Sequence, residues 1–209
     1  MKLLIVGATG LIGRHVLEKA LANTGIESIV APGRRALVSH PKLFSPIVDF
    51  GQLPEAQEWW KADAVICTLG TTIKVAGSQD AFRRVDHDYV MATARLAAQH
   101  GTPAFVLTSA IGASIDSRFF YNRVKGEVER DLAESGFTSL TFVRPGLIGG
   151  KRDQDRPIET ALGMAKAILD PVLPKRMRTN PADKIADKLL EAAILAKPGR
   201  HVVTSEEMI

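Results

Sequence analysis

Short apolar runs alternate with longer amphipathic segments along the first 143 residues of the chain. The runs that predict strands are residues 2–6, 28–31, 46–49, 64–68, 104–109 and 139–143. The segments that predict helices are residues 11–23, 54–61, 78–100 and 117–135. Strands that are apolar on both faces need a helical layer on each side. The pattern therefore predicts an α/β protein with a doubly wound parallel sheet.

The pattern loosens after Pro145. A polar loop over 149–157 precedes a helix predicted over 158–169, and residues 171–174 are irregular. A further helix is predicted over 181–196, and residues 201–204 have the character of a late strand. We expect residues 147–200 to form a small substrate-side lobe, packed within a single domain that spans residues 1–209.

Composition excludes several classes of protein. The chain has 209 residues, of which 45% are hydrophobic and 24% charged, as in soluble globular proteins. Its single cysteine, Cys67, rules out a disulfide framework, and no metal site is expected. No apolar stretch approaches the ~20 residues that cross a bilayer, and no secretory signal peptide is recognised, so we expect a cytoplasmic protein.

The net charge of +4 does not by itself indicate nucleic acid. Zinc-finger spacing, an aromatic RNA-binding signature and a helix-turn-helix are all lacking in the sequence. The basic residues suit an anionic small molecule equally well, and we expect no nucleic-acid partner.

Three glycines at GxxGxxG spacing, Gly7, Gly10 and Gly13, connect the first strand to the first helix. Glycines there permit a tight turn, close approach of the backbone to a pyrophosphate, and close packing of helix on strand. The helix N-terminus attracts the phosphates. Three glycines near a turn also occur for purely structural reasons, but the strand–turn–helix context favours a Rossmann-type dinucleotide site. Its predicted cofactor contacts in this turn are Gly7, Thr9, Gly10, Leu11, Ile12 and Gly13.

The end of the second strand carries Arg34 and Arg35, where NAD-preferring proteins place an acid. Two guanidinium groups suit the 2′-phosphate of NADP(H), so we predict that cofactor. Asp49, at the end of the third predicted strand, is a candidate contact for the adenine amine, although an exposed loop aspartate explains it equally well.

Tyr121 and Lys125 lie four residues apart on one helix, so both side chains share a face. An ammonium group beside a phenol favours the phenolate and suits the tyrosine to proton transfer near neutral pH. Ser109 ends the preceding strand, at the edge where ligands bind in open α/β sheets. We predict these three residues to be catalytic, with Ser109 forming a hydrogen bond to a substrate carbonyl or hydroxyl. An amphipathic helix also produces the tyrosine–lysine spacing by chance.

Two other reactive side chains are expected to have no chemical role. Cys67 ends a very apolar strand and is interpreted as buried filler rather than a nucleophile. His87, between Asp86 and Asp88, is interpreted as part of a solvated helix face rather than as a metal ligand.

These motifs together resemble the atypical, extended-like short-chain dehydrogenases/reductases. More narrowly, they resemble the Tat-interacting-protein oxidoreductase-like branch, whose bacterial members are often described as nucleoside-diphosphate-sugar epimerases. The segments that carry the resemblance are 7–13, 33–35, 67–72, 85–89, 108–113, 121–127 and 144–146.

The resemblance implies that Ser109, Tyr121 and Lys125 are the catalytic set. It also implies cofactor contacts from two loops and from the catalytic helix, at Thr68, Leu69, Gly70, Tyr121, Lys125, Pro145 and Gly146. The chain departs from ordinary short-chain enzymes at residues 67–70, which replace an asparagine-alanine-glycine loop. Its tail beyond Gly149 is also much shorter than the substrate domain of sugar epimerases.

The function expected from these observations is NADP(H)-dependent reduction of a small carbonyl compound, or oxidation of the corresponding alcohol. An NADP(H)-binding regulator or redox sensor is an alternative, as is an isomerase that resembles nucleotide-sugar epimerases. The identity of the substrate is left open, and so is the question of whether the protein forms a homodimer.

Overall fold

The computed structural model of the protein describes residues 1–149 and 178–209. Its strands are β1 (Lys2–Val6), β2 (Ser28–Val30), β3 (Leu43–Phe44), β4 (Ala64–Cys67), β5 (Ala104–Thr108), β6 (Ser139–Val143), β7 (Ile148–Gly149), β8 (Asn180–Pro181) and β9 (Gly199–Val203). Its α-helices are α1 (Leu11–Ala22), α2 (Ile73–Ala76), α3 (Gln79–Arg83), α4 (Tyr89–Gln99), α5 (Phe120–Ala133) and α6 (Ala182–Leu195).

The main sheet has the strand order β3-β2-β1-β4-β5-β6-β9, and every pairing in it is parallel. The chain moves outward from β1 to β3 on one side and from β4 to β9 on the other. The strand order therefore reverses between β1 and β4. In open α/β sheets, ligands bind outside the carboxyl ends of the strands at such a switch point. The predicted fold class is confirmed.

Alternate residues of each central strand belong to two separate cores. Leu3 and Ile5 of β1 pack in the cluster that contains the apolar faces of α1 and α6. Leu4 and Val6 pack in the other cluster, with α4 and α5. All residues of β4 and β5 are buried, because both faces of the sheet are covered.

Two early elements differ from the sequence prediction. The third strand is β3 at Leu43–Phe44 rather than residues 46–49, and only a single bridge joins Ile47 to Gly33. Proline lacks the N–H that would continue the ladder at Pro46. The helix predicted over 54–61 is only a 3₁₀ turn at Glu58–Trp60. The buried Trp60 indole donates to the Pro54 carbonyl at 2.7 Å and anchors this loop.

The helix predicted over 78–100 is interrupted. It consists of α3, a π-helical segment at Arg84–Asp88, and α4. The wider π turn adds a residue to the helix and shifts the side chains that follow. Asp86 lies in this segment with only 1% of its surface exposed, so the interpretation of these residues as a solvated face is wrong for Asp86.

The helix predicted over 181–196 and the strand predicted over 201–204 are α6 and β9. Helix α6 packs against α1 and shares a core with β1, while β9 pairs with β6 throughout its length. These parts of the predicted lobe are thus built into the main sheet and its helical layer. The helix predicted over 158–169 lies outside the described residues.

Candidate active site

The glycine turn lies directly over the switch point between β1 and β4. Gly7 has φ of +89°, and a Cβ there would come within 2.7 Å of the Thr68 hydroxyl. A Cβ on Gly13 would come within 2.1 Å of the Gly7 carbonyl oxygen. These two positions need glycine because turn, helix and β4 meet too closely for any side chain.

Gly10 has a different position in the same turn. It is exposed, its N–H donates to the Gly7 carbonyl at 2.9 Å, and a Cβ there would approach only that carbonyl, at 3.3 Å. None of the described residues caps the N-terminus of α1 with a side chain, and its first turn has no acid. The N–H groups of Leu11 and Ile12 are therefore suited to an anion, as predicted for a pyrophosphate.

The loop after β4 holds the glycine turn in place through hydrogen bonds. The Thr68 hydroxyl lies 3.1 Å from the carbonyl oxygens of both Val6 and Gly7 and donates to them. Thr68 thus supports the backbone that would hold the cofactor. Leu69, the next residue, is half-buried against the core of α4 and α5.

Arg34 and Arg35 lie in the loop after β2, and both are exposed. Hydrogen bonds from Gly33 N–H to the Pro46 carbonyl, at 3.1 Å, and from Val48 N–H to the Gly33 carbonyl, at 2.9 Å, hold this loop. Strand β2 neighbours β1, so the loop lies beside the glycine turn. The structure thus places both cations at the edge where a 2′-phosphate is expected.

Asp49 is also exposed, and its carboxylate accepts a hydrogen bond from the N–H of Gly51 at 2.8 Å. This contact shapes its own loop, as aspartate commonly does in turns. The adenine contact predicted for Asp49 stays a prediction.

Tyr121 lies in the first turn of α5, with 37% of its surface exposed. Its ring packs on the buried Phe82, with ring centroids 5.6 Å apart. A Cβ on Gly126 would come within 2.2 Å of the Ser114 backbone, so α5 lies tightly against the loop after β5. Tyr121 therefore stands on a closely packed helix at the carboxyl edge of the sheet, with an accessible phenol.

Lys125 lies one turn further along α5 and is almost fully buried. Its ammonium lies 2.8 Å from a carboxylate oxygen of Asp86 and donates a long hydrogen bond, 3.5 Å, to the Thr108 carbonyl. Burial acts to lower the pKa of Lys125, but the negative charge of Asp86, with a further contribution from Tyr121, outweighs it and raises the pKa above its ordinary value. The lysine therefore remains charged.

Ser109 has a different environment from the one predicted. Its buried hydroxyl donates to the carboxylate of Glu129 at 2.5 Å, and Arg144 binds both oxygens of that carboxylate. A serine hydroxyl has one proton to donate. In this arrangement the proton is committed to Glu129, so Ser109 is not placed to donate to a substrate carbonyl.

The loop after β6 is held by a residue that the sequence analysis did not single out. Asn180 is fully buried and accepts from Gly146 N–H at 2.7 Å, while its amide donates to the carbonyl oxygens of Ser205, at 2.8 Å, and Met208. The Pro145 carbonyl accepts from Ile111 N–H at 2.9 Å. The predicted cofactor segment Pro145-Gly146 is therefore tied to the loop after β5 and to the C-terminal turn.

Thr108, the last residue of β5, has a buried hydroxyl oxygen with no hydrogen-bond partner among the described residues. Leaving such a group unsatisfied costs about 1–3 kcal/mol. We expect Thr108→Val, which keeps the shape and removes the hydroxyl, to raise the free energy of unfolding by about 1 kcal/mol. A denaturant titration measures this as a higher midpoint with an unchanged slope.

Thr102 provides the matched control. Its buried hydroxyl donates to the Trp60 carbonyl at 2.8 Å and accepts from Ala62 N–H at 3.0 Å. Thr102→Val should therefore lower the free energy of unfolding by about 1–3 kcal/mol. A loss of stability in Thr108→Val as well would show that the Thr108 hydroxyl has a partner.

Cys67 and His87 are two further reactive side chains whose surroundings the structure shows. Burial raises the pKa of the Cys67 thiol to about 12, so it is neutral and unsuited to nucleophilic attack. His87 contacts Asp88 at 2.9 Å and Asp131 at 2.8 Å, joining the π segment to α5. Among the residues that the structure describes, no cluster of three or more His, Cys, Asp or Glu side chains could hold a metal.

Comparison with known proteins connects this site to a family. Residues 7–193 match the model of a family described as NAD(P)H-binding, a span that includes the glycine turn and most of α6. The chain belongs to this NAD(P)H-binding family. A nicotinamide cofactor is therefore the ligand class of this family, whereas the preference for NADP(H) is not decided by family membership.

Two relatives of known name resemble this chain over most of its length. The chain is 38% identical to rat protein HTATIP2 over 160 residues, 74% of this chain and 66% of the rat protein. It is 32% identical to the fmp52 protein of Aspergillus fumigatus, covering 98% of this chain and 92% of that protein.

Two solved structures show the same fold. One is the oxidoreductase ylbE from Lactococcus lactis, with a TM-score of 0.69, 19% identity, and coverage of 100% of this chain and 94% of that one. The other is UDP-glucuronic acid 4-epimerase from Bacillus cereus in complex with NAD, with a TM-score of 0.72, 13% identity, and coverage of 98% and 78%. The fold is thus one found both in an oxidoreductase and in an epimerase that binds NAD.

The cytoplasmic location expected from the sequence is contradicted by these relatives. The fmp52 proteins of Emericella nidulans, Eremothecium gossypii and Aspergillus fumigatus are named mitochondrial. The expectation was wrong because it rested on features of secretion and membrane insertion, which do not separate the cytosol from an organelle. Within the described residues, the model has no helix with the length and apolar character needed to cross a bilayer.

Proposed function

We propose that the protein is an NADP(H)-dependent reductase of small carbonyl compounds that also runs in reverse as an alcohol dehydrogenase. The observation that carries this proposal is the pairing on α5 of an accessible phenol, Tyr121, with a buried and charged lysine, Lys125. Both lie at the carboxyl edge of the sheet, where the loop after β4 also supports the glycine turn.

The residues present fit a phosphorylated dinucleotide. Gly10 leaves open space at the start of α1, the first turn of α1 offers N–H groups without an acid, and Arg34 and Arg35 are exposed beside it. The bound nicotinamide would supply hydride to the substrate carbon. The N–H groups of Leu11 and Ile12 would hold the pyrophosphate, and the arginines would hold the 2′-phosphate.

Proton transfer is assigned to α5. Tyr121 would donate its phenolic proton to the substrate oxygen, and the positive charge of Lys125 would stabilise the phenolate that remains. Ser109 was predicted to hold the substrate carbonyl by donating a hydrogen bond. Since its proton is committed to Glu129, we leave Ser109 out of the proton transfer and assign it the role of fixing the end of β5 against α5 through Glu129.

A panel of aldehydes and ketones tests this function directly. Purified protein is mixed with NADPH and each carbonyl compound, and loss of the reduced-nicotinamide absorbance is followed. We expect turnover with at least one member of the panel. Tight NADPH binding without turnover across a broad panel would contradict the reductase.

Cofactor preference gives a separate prediction. We expect NADP(H) to bind at least about tenfold more tightly than NAD(H), a difference of ~1.4 kcal/mol. Replacing both Arg34 and Arg35 with alanine should weaken NADPH binding and leave NADH binding nearly unchanged, since only NADPH has the 2′-phosphate. Arg200→Ala, an exposed arginine on β9 at the opposite edge of the sheet, serves as the control. Equal affinities of the unmodified protein for the two cofactors would refute the assignment.

A second candidate is an NADP(H)-binding regulator or redox sensor. The observation that favours it is the commitment of Ser109 to Glu129, because a protein that only signals cofactor state needs no hydroxyl directed at a substrate. An isomerase is distinguished from both by cofactor that stays bound through purification and does not exchange.

The finer placement in the Tat-interacting-protein oxidoreductase-like branch is also a proposal, supported by the 38% identity to rat HTATIP2.

A further inference from the structure

Asp86 is a buried carboxylate for which the proposed reaction has not yet assigned a role. It lies in the π segment, where the N–H of Tyr89 donates to the Arg84 carbonyl across five residues rather than four. Such π segments are frequent at functional sites, because the extra residue turns a side chain in a direction that an α-helix would not allow. Here the side chain turned inward is a carboxylate with 1% of its surface exposed.

Both oxygens of this carboxylate have partners from the active site. One lies 2.8 Å from the ammonium of Lys125, and the other accepts from the N–H of Thr71 at 2.8 Å. Gly70 packs against the ion pair of Asp86 and Lys125, since a Cβ on Gly70 would lie 3.4 Å from the Asp86 carboxylate and 3.9 Å from the ammonium. Asp86 therefore connects the loop after β4, which reaches back to the glycine turn through Thr68, to the lysine on α5.

The charge that faces Lys125 comes from Asp86. Among the residues that the structure describes, the other ionisable groups that affect it are Tyr121, on its own helix, and Cys67 at the end of β4, whose thiol is neutral. The Thr108 carbonyl supplies only a long hydrogen bond, 3.5 Å. A buried ammonium with no anion beside it loses its proton readily, because burial disfavours the charged form.

We propose that Asp86 is a positioning residue of this active site, which keeps the ammonium of Lys125 charged and fixed one turn from Tyr121. The inference rests on the proposed reductase function and extends it to a residue outside the Ser–Tyr–Lys set. A buried charge pair is not by itself a source of stability, since desolvation offsets much of the attraction. The charge pair instead has a chemical role, because it allows an almost fully buried lysine to carry a positive charge beside the proton donor.

The sign of the effect on pH dependence follows from the two opposing influences on Lys125. Burial lowers the pKa of the lysine, and the negative charge of Asp86 more than compensates for it. Removing that charge leaves burial unopposed apart from Tyr121, so Lys125 should lose its proton at lower pH. The charge that supports proton transfer would then be lost earlier as the pH rises.

The test is Asp86→Asn, which keeps the size of the side chain and an acceptor for the Thr71 N–H but removes the charge. The measurement is the pH dependence of kcat with saturating NADPH and a confirmed carbonyl substrate. We expect the alkaline fall in activity to move down by about one pH unit or more. Asp86→Glu, which restores the charge, should return the alkaline limb towards its original position.

Asp88→Asn is the matched control. Asp88 lies in the same π segment, but its side chain is 55% exposed and pairs with His87. This variant should leave the pH profile unchanged. A profile that moves equally in both variants, or in neither, would overturn the role of Asp86.

A second measurement separates this inference from the proposed function. NMR titration of the Lys125 side chain in the unmodified protein should show a pKa above that of an ordinary lysine, and in Asp86→Asn a lower one. If no carbonyl is reduced but the titration behaves in this way, the reductase fails and the control of Lys125 by Asp86 stands. If Asp86→Asn does not fold, titration of the unmodified protein alone decides, because a lysine that titrates below the ordinary value contradicts the proposal.

Discussion

Replacing Tyr121 with phenylalanine should lower turnover by about a hundredfold or more while leaving NADPH affinity nearly unchanged. The reason is that the substitution removes only the phenolic hydroxyl, which is the proposed proton donor. The ring keeps its packing on Phe82, 5.6 Å between centroids, and the buried lysine one turn away keeps its partner Asp86. Steady-state kinetics measure the turnover, and quenching of protein fluorescence on NADPH binding measures the affinity.

The chain offers a natural control for this variant, because it has two tyrosines. Tyr89 begins α4, and its ring packs on Phe50, 5.7 Å between centroids. Tyr89→Phe should therefore keep full turnover. Full activity of Tyr121→Phe on a confirmed substrate would refute the proposed proton donor and leave the reductase without one.

Replacing Gly10 with valine should abolish binding of both NADPH and NADH while the protein stays folded. A side chain at Gly10 would project into the open space at the start of α1, where the pyrophosphate is expected. Its nearest protein neighbour is the Gly7 carbonyl, at 3.3 Å, which needs to yield by only a few tenths of an ångström. Calorimetric titration with each cofactor and a thermal melt of the free protein measure the two halves of this result.

Gly13→Ala provides the contrast. Its Cβ would come within 2.1 Å of the Gly7 carbonyl, so we expect this variant to lose stability as well as binding. Gly7 belongs with Gly13 in this respect, since its φ of +89° and the contact with Thr68 leave no place for a side chain. Normal NADPH binding by a folded Gly10→Val protein would place the cofactor elsewhere.

The contacts of the three glycines show how far the motif could be interpreted from the sequence. GxxGxxG spacing predicted three residues of one cofactor turn, and family membership confirms a nicotinamide cofactor. Spacing alone could not show that Gly7 and Gly13 are needed for packing whereas Gly10 is exposed. For Gly7 that distinction depends on its distance from Thr68, 61 residues along the chain, and for Gly13 on its distance from the Gly7 carbonyl.

The catalytic residues show the same division. Tyr121 and Lys125 were found because an interval of four residues places side chains on one helix face. Asp86 was missed although it lies within segment 85–89, which contributed to the family resemblance, because its inward direction depends on a π turn that no periodicity of 3.6 residues predicts. The sequence analysis assigned Ser109 to the substrate because it could not predict the hydrogen bond to Glu129, which lies 20 residues further along the chain.

Short-range sequence patterns account for the local elements of this protein. Apolar runs predicted the parallel strands, amphipathic segments predicted most of the helices, and glycine spacing predicted the cofactor turn. The order of the strands, the inward direction of Asp86, the hydrogen bonds of Asn180 and the partner of Ser109 depend on the tertiary structure. The physical reason is that backbone propensity and side-chain periodicity act within a few residues. Hydrogen bonds and ion pairs between buried groups instead depend on which distant segments the fold brings within about 3 Å of each other.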